Sequence, residues 1–205
     1  MNKKSKQQFD PRSIRDPAQI RLLASPVRQE LVDTLASLGG EATVASLAEQ
    51  LGRPADGLYY HLQLLTEGGL LNEEAGSNGE RVFRLAAAGK GPLRLSYELA
   101  SDEGRKALAL YVSGLVQIAE TDFLEGMKQK KVATEGGQRH LWAARKKGWV
   151  SKTELEEVNA LLERLCELIS QPRDPSRDNA LSLAFVLAPT LVRSRRRSSA
   201  SAKQR

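Results

Sequence analysis

At 205 residues and 22.5 kDa, with 40% hydrophobic and 27% charged side chains, the chain has the composition of a soluble globular protein, which excludes a wholly disordered or fibrous one. A formal charge of +6 and a pI near 9.5 point to an anionic partner such as nucleic acid, and a single cysteine, Cys166, rules out an internal disulfide. No apolar run reaches the roughly 18–20 residues of a membrane span, and the start lacks the apolar centre of a secretion signal, so a cytoplasmic protein without membrane association is expected.

The charge is not evenly spread. Residues 1–15, with Lys3, Lys4, Lys6, Arg12 and Arg15 against Asp10, carry +4, and the tail from Pro189, with Arg193, Arg195, Arg196, Arg197, Lys203 and Arg205, carries +6. The middle is therefore acidic, at −4. Both ends lack hydrophobic periodicity and are rich in Ser, Lys, Gln and Arg, so 1–15 and 191–205 read as disordered basic arms.

Between them, Asp16-Pro17 and Ser25-Pro26 each place a capping side chain before a proline suited to the first helical position. Val27, Leu31, Leu35 and Leu38 continue the second helix to Gly39-Gly40. A short helix follows with Val44, Leu47, Ala48 and Leu51 on one face and Gly52 as its stop. A turn through Arg53 and Pro54 leads to a further helix, whose Leu58, Leu62 and Leu65 share a face and whose end is Gly68-Gly69. Two short runs around Gly76-Ser77-Asn78-Gly79 then read as a β-hairpin with a polar tip. Each piece is too small to bury its own apolar face, so residues 16–88 should form one unit.

Beyond a linker at Gly89-Lys90-Gly91-Pro92, Leu108, Tyr111, Leu115, Ile118 and Phe123 mark a long amphipathic helix over 102–131. The segment "RHLWAARKKGWV" looks like a strand or hairpin, with Trp142 and Trp149 anchoring a core and Arg139, Arg145, Lys146 and Lys147 on a solvated edge; nucleic-acid contact is the competing reading. Ser151 and Glu154 have the spacing of a capping box, and the helix after them carries Leu155, Val158, Leu162, Leu165 and Ile169 on one stripe, with Cys166 expected to be buried among them. "ALSLAFVLAPT" reads as a buried strand. The expected fold is mainly α with small β, the second module, 98–190, being α+β and serving dimerisation or ligand sensing.

On the helix of Leu58, a rotation of 100° per residue puts Asp56, Tyr60 and Gln63 opposite the buried face, Gly57 and Tyr59 on the flanks and His61 at the core edge. The bland reading of the tyrosines is a cover over exposed core. The sharper one is a helix that enters a DNA major groove, since a short helix and a tight turn precede it and a hairpin follows.

Leu23-Ala24-Ser25-Pro26-Val27-Arg28, Leu47-Ala48-Glu49-Gln50-Leu51-Gly52, Tyr60-His61-Leu62-Gln63-Leu64-Leu65 and Gly69-Leu70-Leu71, in this order and at these separations, resemble the winged helix-turn-helix of ArsR-type (arsenical-resistance repressor) regulators over residues 16–88. The resemblance implies a homodimeric, sequence-specific regulator of transcription that binds double-stranded promoter DNA, with a weak tilt toward repression. It implies that Gly57, Tyr59, Tyr60 and Gln63 face bases or sugars, that Arg53 and His61 touch phosphates, and that Ser77, Asn78 and Arg81 lie on the wing. Leu108, Tyr111, Leu115 and Ile118 are the expected dimer seam, the alternative being that the long helix packs into the chain's own core. Tyr59 departs from the family pattern, which has a small residue there. The cysteine and histidine patterns of the family's metal sensors are absent, so no metal or cofactor is expected, and a small-molecule effector is left open.

Residues 16–88 hold five arginines against ten acids, a net −5 that favours a rival reading, a winged helix that binds another protein. Catalysis is not expected. The sequence has no phosphate loop, no metal-ligand constellation and no paired acid and base, and His61 reads as a core-edge or phosphate-contacting residue.

Overall fold

Helix starts in the first half are written in single side chains. The computed structural model describes residues 13–77, 79–86, 94–171, 174–177 and 179–190. Helix α1 (Pro17–Leu23) begins where Asp16 accepts a hydrogen bond from the Ala18 amide at 2.8 Å, with Pro17 in the first turn. Helix α2 (Pro26–Ser37) also opens on proline, but Ser25 makes no side-chain cap, contrary to expectation; the fixed φ of Pro26 suffices to start it. Helix α3 (Val44–Leu51) is capped by Thr43, whose hydroxyl accepts from the Ser46 amide at 3.2 Å, and it stops at Gly52, which takes the left-handed φ of +59°. Helix α4 (Ala55–Glu67) ends at Gly68.

Strands β3 (Leu71–Ala75) and β4 (Arg81–Leu85) form the expected antiparallel hairpin, Leu71 opposite Leu85 and Ala75 opposite Arg81. A third strand, β2 (Glu41–Thr43), pairs with the other edge of β4, giving the order β2-β4-β3. At three residues β2 shows no alternation, so only its pairing reveals it. Leu31, Leu35, Leu47, Leu58, Leu62, Leu65, Leu71 and Phe83 are buried at the junction of α2, α3, α4 and the sheet.

The expected arm boundary moves. Ser13 and Ile14 form strand β1, parallel to β5 (Arg94–Leu95), and Ile14 is buried in the core, because that apolar side chain has a pocket to fill. Residues 1–12 and 191–205, the rest of the basic arms, and the Gly89–Pro92 linker lie outside the described residues.

Helix α5 (Asp102–Met127) ends four residues before the expected Lys131, at a cap on Lys128. Ser101 caps its start by accepting from the Gly104 amide at 3.1 Å. It packs along α1 and against α2. Gly104, Ala107 and Gly114 are its buried residues; a Cβ on Gly114 would collide with the carbonyl oxygen of Ala24, so the glycine lets two helix backbones meet. By length and composition α5 is apolar enough to cross a membrane, which corrects the expectation that no such run exists. Its inner face is nevertheless packed on protein.

Helix α6 (Lys152–Ile169) has the expected capping box: the Ser151 amide donates to Glu154 at 2.6 Å and the Glu154 amide to the Ser151 hydroxyl at 3.2 Å. Two strands expected in this half do not form. Residues 139–150 and 180–190 have no regular secondary structure, and Trp142 and Trp149 are 70% and 84% exposed rather than anchoring a core. Apolar runs of strand length take strand form only when they pair, and among the described residues neither run pairs with a strand. Cys166, expected to be buried, is half-exposed for the same reason: α6 has no buried residue. The chain is thus mainly α with small β, its strands in the winged domain and the β1-β5 pair.

Candidate nucleic-acid interface

Helix α4 is held from behind by Leu58, Leu62 and Leu65, all buried against α2 and α3. That spacing forces Asp56, Gly57, Tyr59, Tyr60, Gln63 and Glu67 to the outside, and all six are exposed. Tyr60 is 64% exposed, so the described residues of the second half leave it uncovered. Of the two tyrosines Tyr60 is the more exposed, Tyr59 being 40% exposed. The Gln63 amide donates to Glu67 at 2.8 Å, one turn on, and is held along the helix face.

Tyr59 leans on the wing. The Arg81 guanidinium lies 5.4 Å from its ring centre and 5.7 Å from that of Phe83, joining β4 to α4. The same guanidinium donates to both carboxylate oxygens of Glu73, at 2.5 and 2.7 Å, which raises the Arg81 pKa and lowers that of Glu73. Ser77 is exposed near the wing tip; Asn78 falls outside the described residues. Gly79, at φ +74°, lets the turn close, its amide donating to the Gly76 carbonyl at 3.0 Å.

At the start of α4, Val27, Arg53, Pro54, Gly57, Leu58 and His61 line a depression of about 140 Å³. His61 stands edge-on to Tyr60 with ring centres 5.4 Å apart, and its Nδ1 is buried without a hydrogen-bond partner. Burial first, then the positive charges of Arg28 and Arg53, holds its pKa below the ordinary histidine value. A phosphate oxygen here would find two cations and an imidazole. Arg28, however, donates to the Leu22 carbonyl at 2.5 Å, and Arg53 is paired with Glu30 at 2.9 Å.

Pairing of this kind recurs across the domain. Arg21 meets Glu103 at 2.6 Å, and Arg84 meets Glu41 at 2.7 Å and Glu74 at 3.5 Å. Arg53 and Arg81 stand out in the sequence as candidates, but the acids that hold them do not. Gln63 and Glu67, like Gln29 and Asp33, are four apart on one helix and findable by spacing, whereas Arg53 and Glu30 are 23 residues apart. The arginine of each pair is more than two-fifths exposed, so the pairs are screened by solvent and exchanging a carboxylate for a phosphate costs little.

Of the expected dimer seam, Tyr111 is spent on the chain's own core: it packs against the buried cluster, and burial, with the charge of Asp33 next, pushes its pKa up to about 12. Leu108, Leu115 and Ile118 are half-buried on the same side of α5. Among the described residues no group of three or more His, Cys, Asp or Glu side chains is placed to hold a metal ion.

No curated protein matches the chain. A solved structure described as disulfide-formed AbfR is 15% identical, over 68% of this chain and 70% of that one, with a TM-score of 0.27. Residues 23–74, from the end of α1 through β3, match the family model of a helix-turn-helix domain; α3, the turn at Gly52–Pro54 and α4 are the helix, turn and helix of that motif.

Proposed function

We propose that the chain is a non-catalytic, ArsR-like regulator of transcription that acts in the cytoplasm, binding specific double-stranded DNA as a homodimer. Helix α4 lies in the major groove and the β3-β4 wing tracks the adjoining backbone. The observation that carries this reading is the open face of α4: Tyr60 and Gln63 stand clear of the core, backed by three buried leucines that fix their direction. Tyrosine and glutamine offer hydrogen bonds and apolar contact to base edges, while Arg53, His61 and the wing residues Ser77, Asn78 and Arg81 supply register on phosphate. Two such heads, held about 34 Å apart, would read two half-sites. Repression is the favoured sign, with a small-molecule effector as its natural control.

A second reading has its own observation. Arg53, Arg81 and Arg84 of the winged domain already pair with acids, which suits a surface that binds another protein. Selection of bound genomic fragments at stated salt, followed by fluorescence anisotropy, separates the two. On the selected site, Tyr60→Ala with Gln63→Ala should weaken binding by about 30-fold or more, at roughly 1–3 kcal/mol for each of the two base edges no longer read, with an unchanged melting curve. Equal affinity for selected and scrambled DNA, or no effect of the double variant, would favour the protein-binding surface.

A further inference from the structure

The two faces of the wing hairpin carry charge differently. In the register of β3 on β4, Leu71 lies opposite Leu85, Glu73 opposite Phe83 and Ala75 opposite Arg81, so these six share the face on which Phe83 is buried. Glu74 and Arg84 belong to the other face, where Arg84 meets Glu41 of β2 at 2.7 Å as well as Glu74. On the inner face Leu71, Phe83 and Leu85 are apolar. Glu73 and Arg81, nearer the tip, are an ion pair, and the ring of Tyr59 on α4 stands against the guanidinium.

An inward-facing ion pair calls for a reason other than stability. Its side chains are 34% and 51% exposed, so solvent screens it, and an aliphatic pair would have continued the core. What the arrangement does supply is a cation held in one place. Attraction to the ring face of Tyr59 fixes the guanidinium without using its N–H donors. The Glu73 carboxylate takes the Nε and Nη2 donors together, a fork that a phosphate fits equally well. The hairpin from Leu71 to Leu85 carries Glu73, Glu74 and Glu80 against Arg81 and Arg84, and both arginines are paired. The free wing therefore offers a passing polyanion no open guanidinium.

We propose that Glu73 is a built-in competitor of DNA and that Tyr59 is a positioning residue. The Tyr59 ring holds Arg81 between α4 and the wing, Glu73 fills its fork in the free protein, and a backbone phosphate displaces Glu73 when the wing meets DNA. Tyr59 then acts through Arg81 and reads no base. The inference rests on the DNA-binding function proposed above and names how one of its contacts is switched.

The test is fluorescence anisotropy of full-length variants on the selected duplex and on a scrambled one of equal length, over a salt series. Glu74→Gln is the control: it makes the same change of charge on the opposite face, where Arg84 keeps Glu41. Glu73→Gln should bind both duplexes about two- to fivefold more tightly than Glu74→Gln, the gain expected from releasing an exposed pair. That advantage should vanish when Arg81→Ala is added to each. Tyr59→Leu should weaken both duplexes alike and lower the salt slope by about 0.9, the loss of one phosphate contact. It should cost nothing further in an Arg81→Ala background, and Tyr59→Phe, which keeps the ring face, should restore what leucine loses. Melting curves of the free variants check that each is folded.

A gain for Glu73→Gln no larger than that of Glu74→Gln, or one that survives Arg81→Ala, overturns the competition. A loss for Tyr59→Phe equal to that for Tyr59→Leu, or a Tyr59→Leu loss confined to the selected duplex, makes Tyr59 a base reader and overturns the positioning role. Either result in a parent that binds DNA leaves the DNA-binding function standing, whereas a parent that binds neither duplex overturns that function and this inference with it.

Discussion

Replacing Gly114 by alanine tests how α5 is held on the winged domain. Alanine is the better helix former by about 1 kcal/mol, so in a solvated helix the change would stabilise. Here the added Cβ points at the carbonyl oxygen of Ala24, a backbone atom at the end of α1, and cannot be accommodated without separating the helices. Overpacking of this kind costs typically 1–3 kcal/mol, and the carbonyl cannot turn aside as a side chain would. The net expectation is a destabilisation of about 1–2 kcal/mol, read as a lower urea midpoint with an unchanged slope. In a chain of this size it should appear as a fall in Tm of roughly 2–8 °C. A Tm equal to or above the parent's would mean that α5 does not pack on α1 as described, and the reasoning from close approach would be wrong.

Gly57→Ala is the converse case. Its Cβ meets nothing and its φ is not positive, so stability should rise by about 0.5–1 kcal/mol. Because Gly57 is exposed on the proposed DNA face, affinity for the selected site should fall nonetheless; a rise in both would remove it from the interface. His61 gives a pH signature. Its folded pKa lies below the ordinary 6.5, so its contribution to stability is present above that pH and is lost as pH falls through the folded value. A bound phosphate reverses the preference, so DNA affinity should increase a few-fold between about pH 7.5 and 6, and His61→Gln should abolish the increase. A pH-independent affinity in the parent would place the phosphate elsewhere. Deleting residues 190–205, which carry six cations, should weaken DNA binding and flatten its salt dependence by about 0.9 in slope for each phosphate the tail neutralises. An unchanged slope would show that the tail does not supply the attraction the winged domain lacks.

The amino-acid sequence by itself determined whatever depends on near neighbours. Asp16, Thr43 and Ser151 cap helices because each oxygen reaches an amide two or three residues on, Gly52 stops α3 because it alone takes a left-handed φ cheaply, and Leu58, Leu62 and Leu65 turn Tyr60 and Gln63 outward by helical period alone. Tertiary structure decided the rest, where partners lie far apart along the chain. Strands β1 and β2 are too short for any period to show and exist only through β5 and β4. Arg53 finds Glu30 by folding, which turns an apparent phosphate-binding cation into a paired one. The stripe on α6 was legible as apolar, but an apolar stripe states only that it should be covered. What covers it is a property of the assembled surfaces, since burial is non-directional and any face of matching shape can supply it.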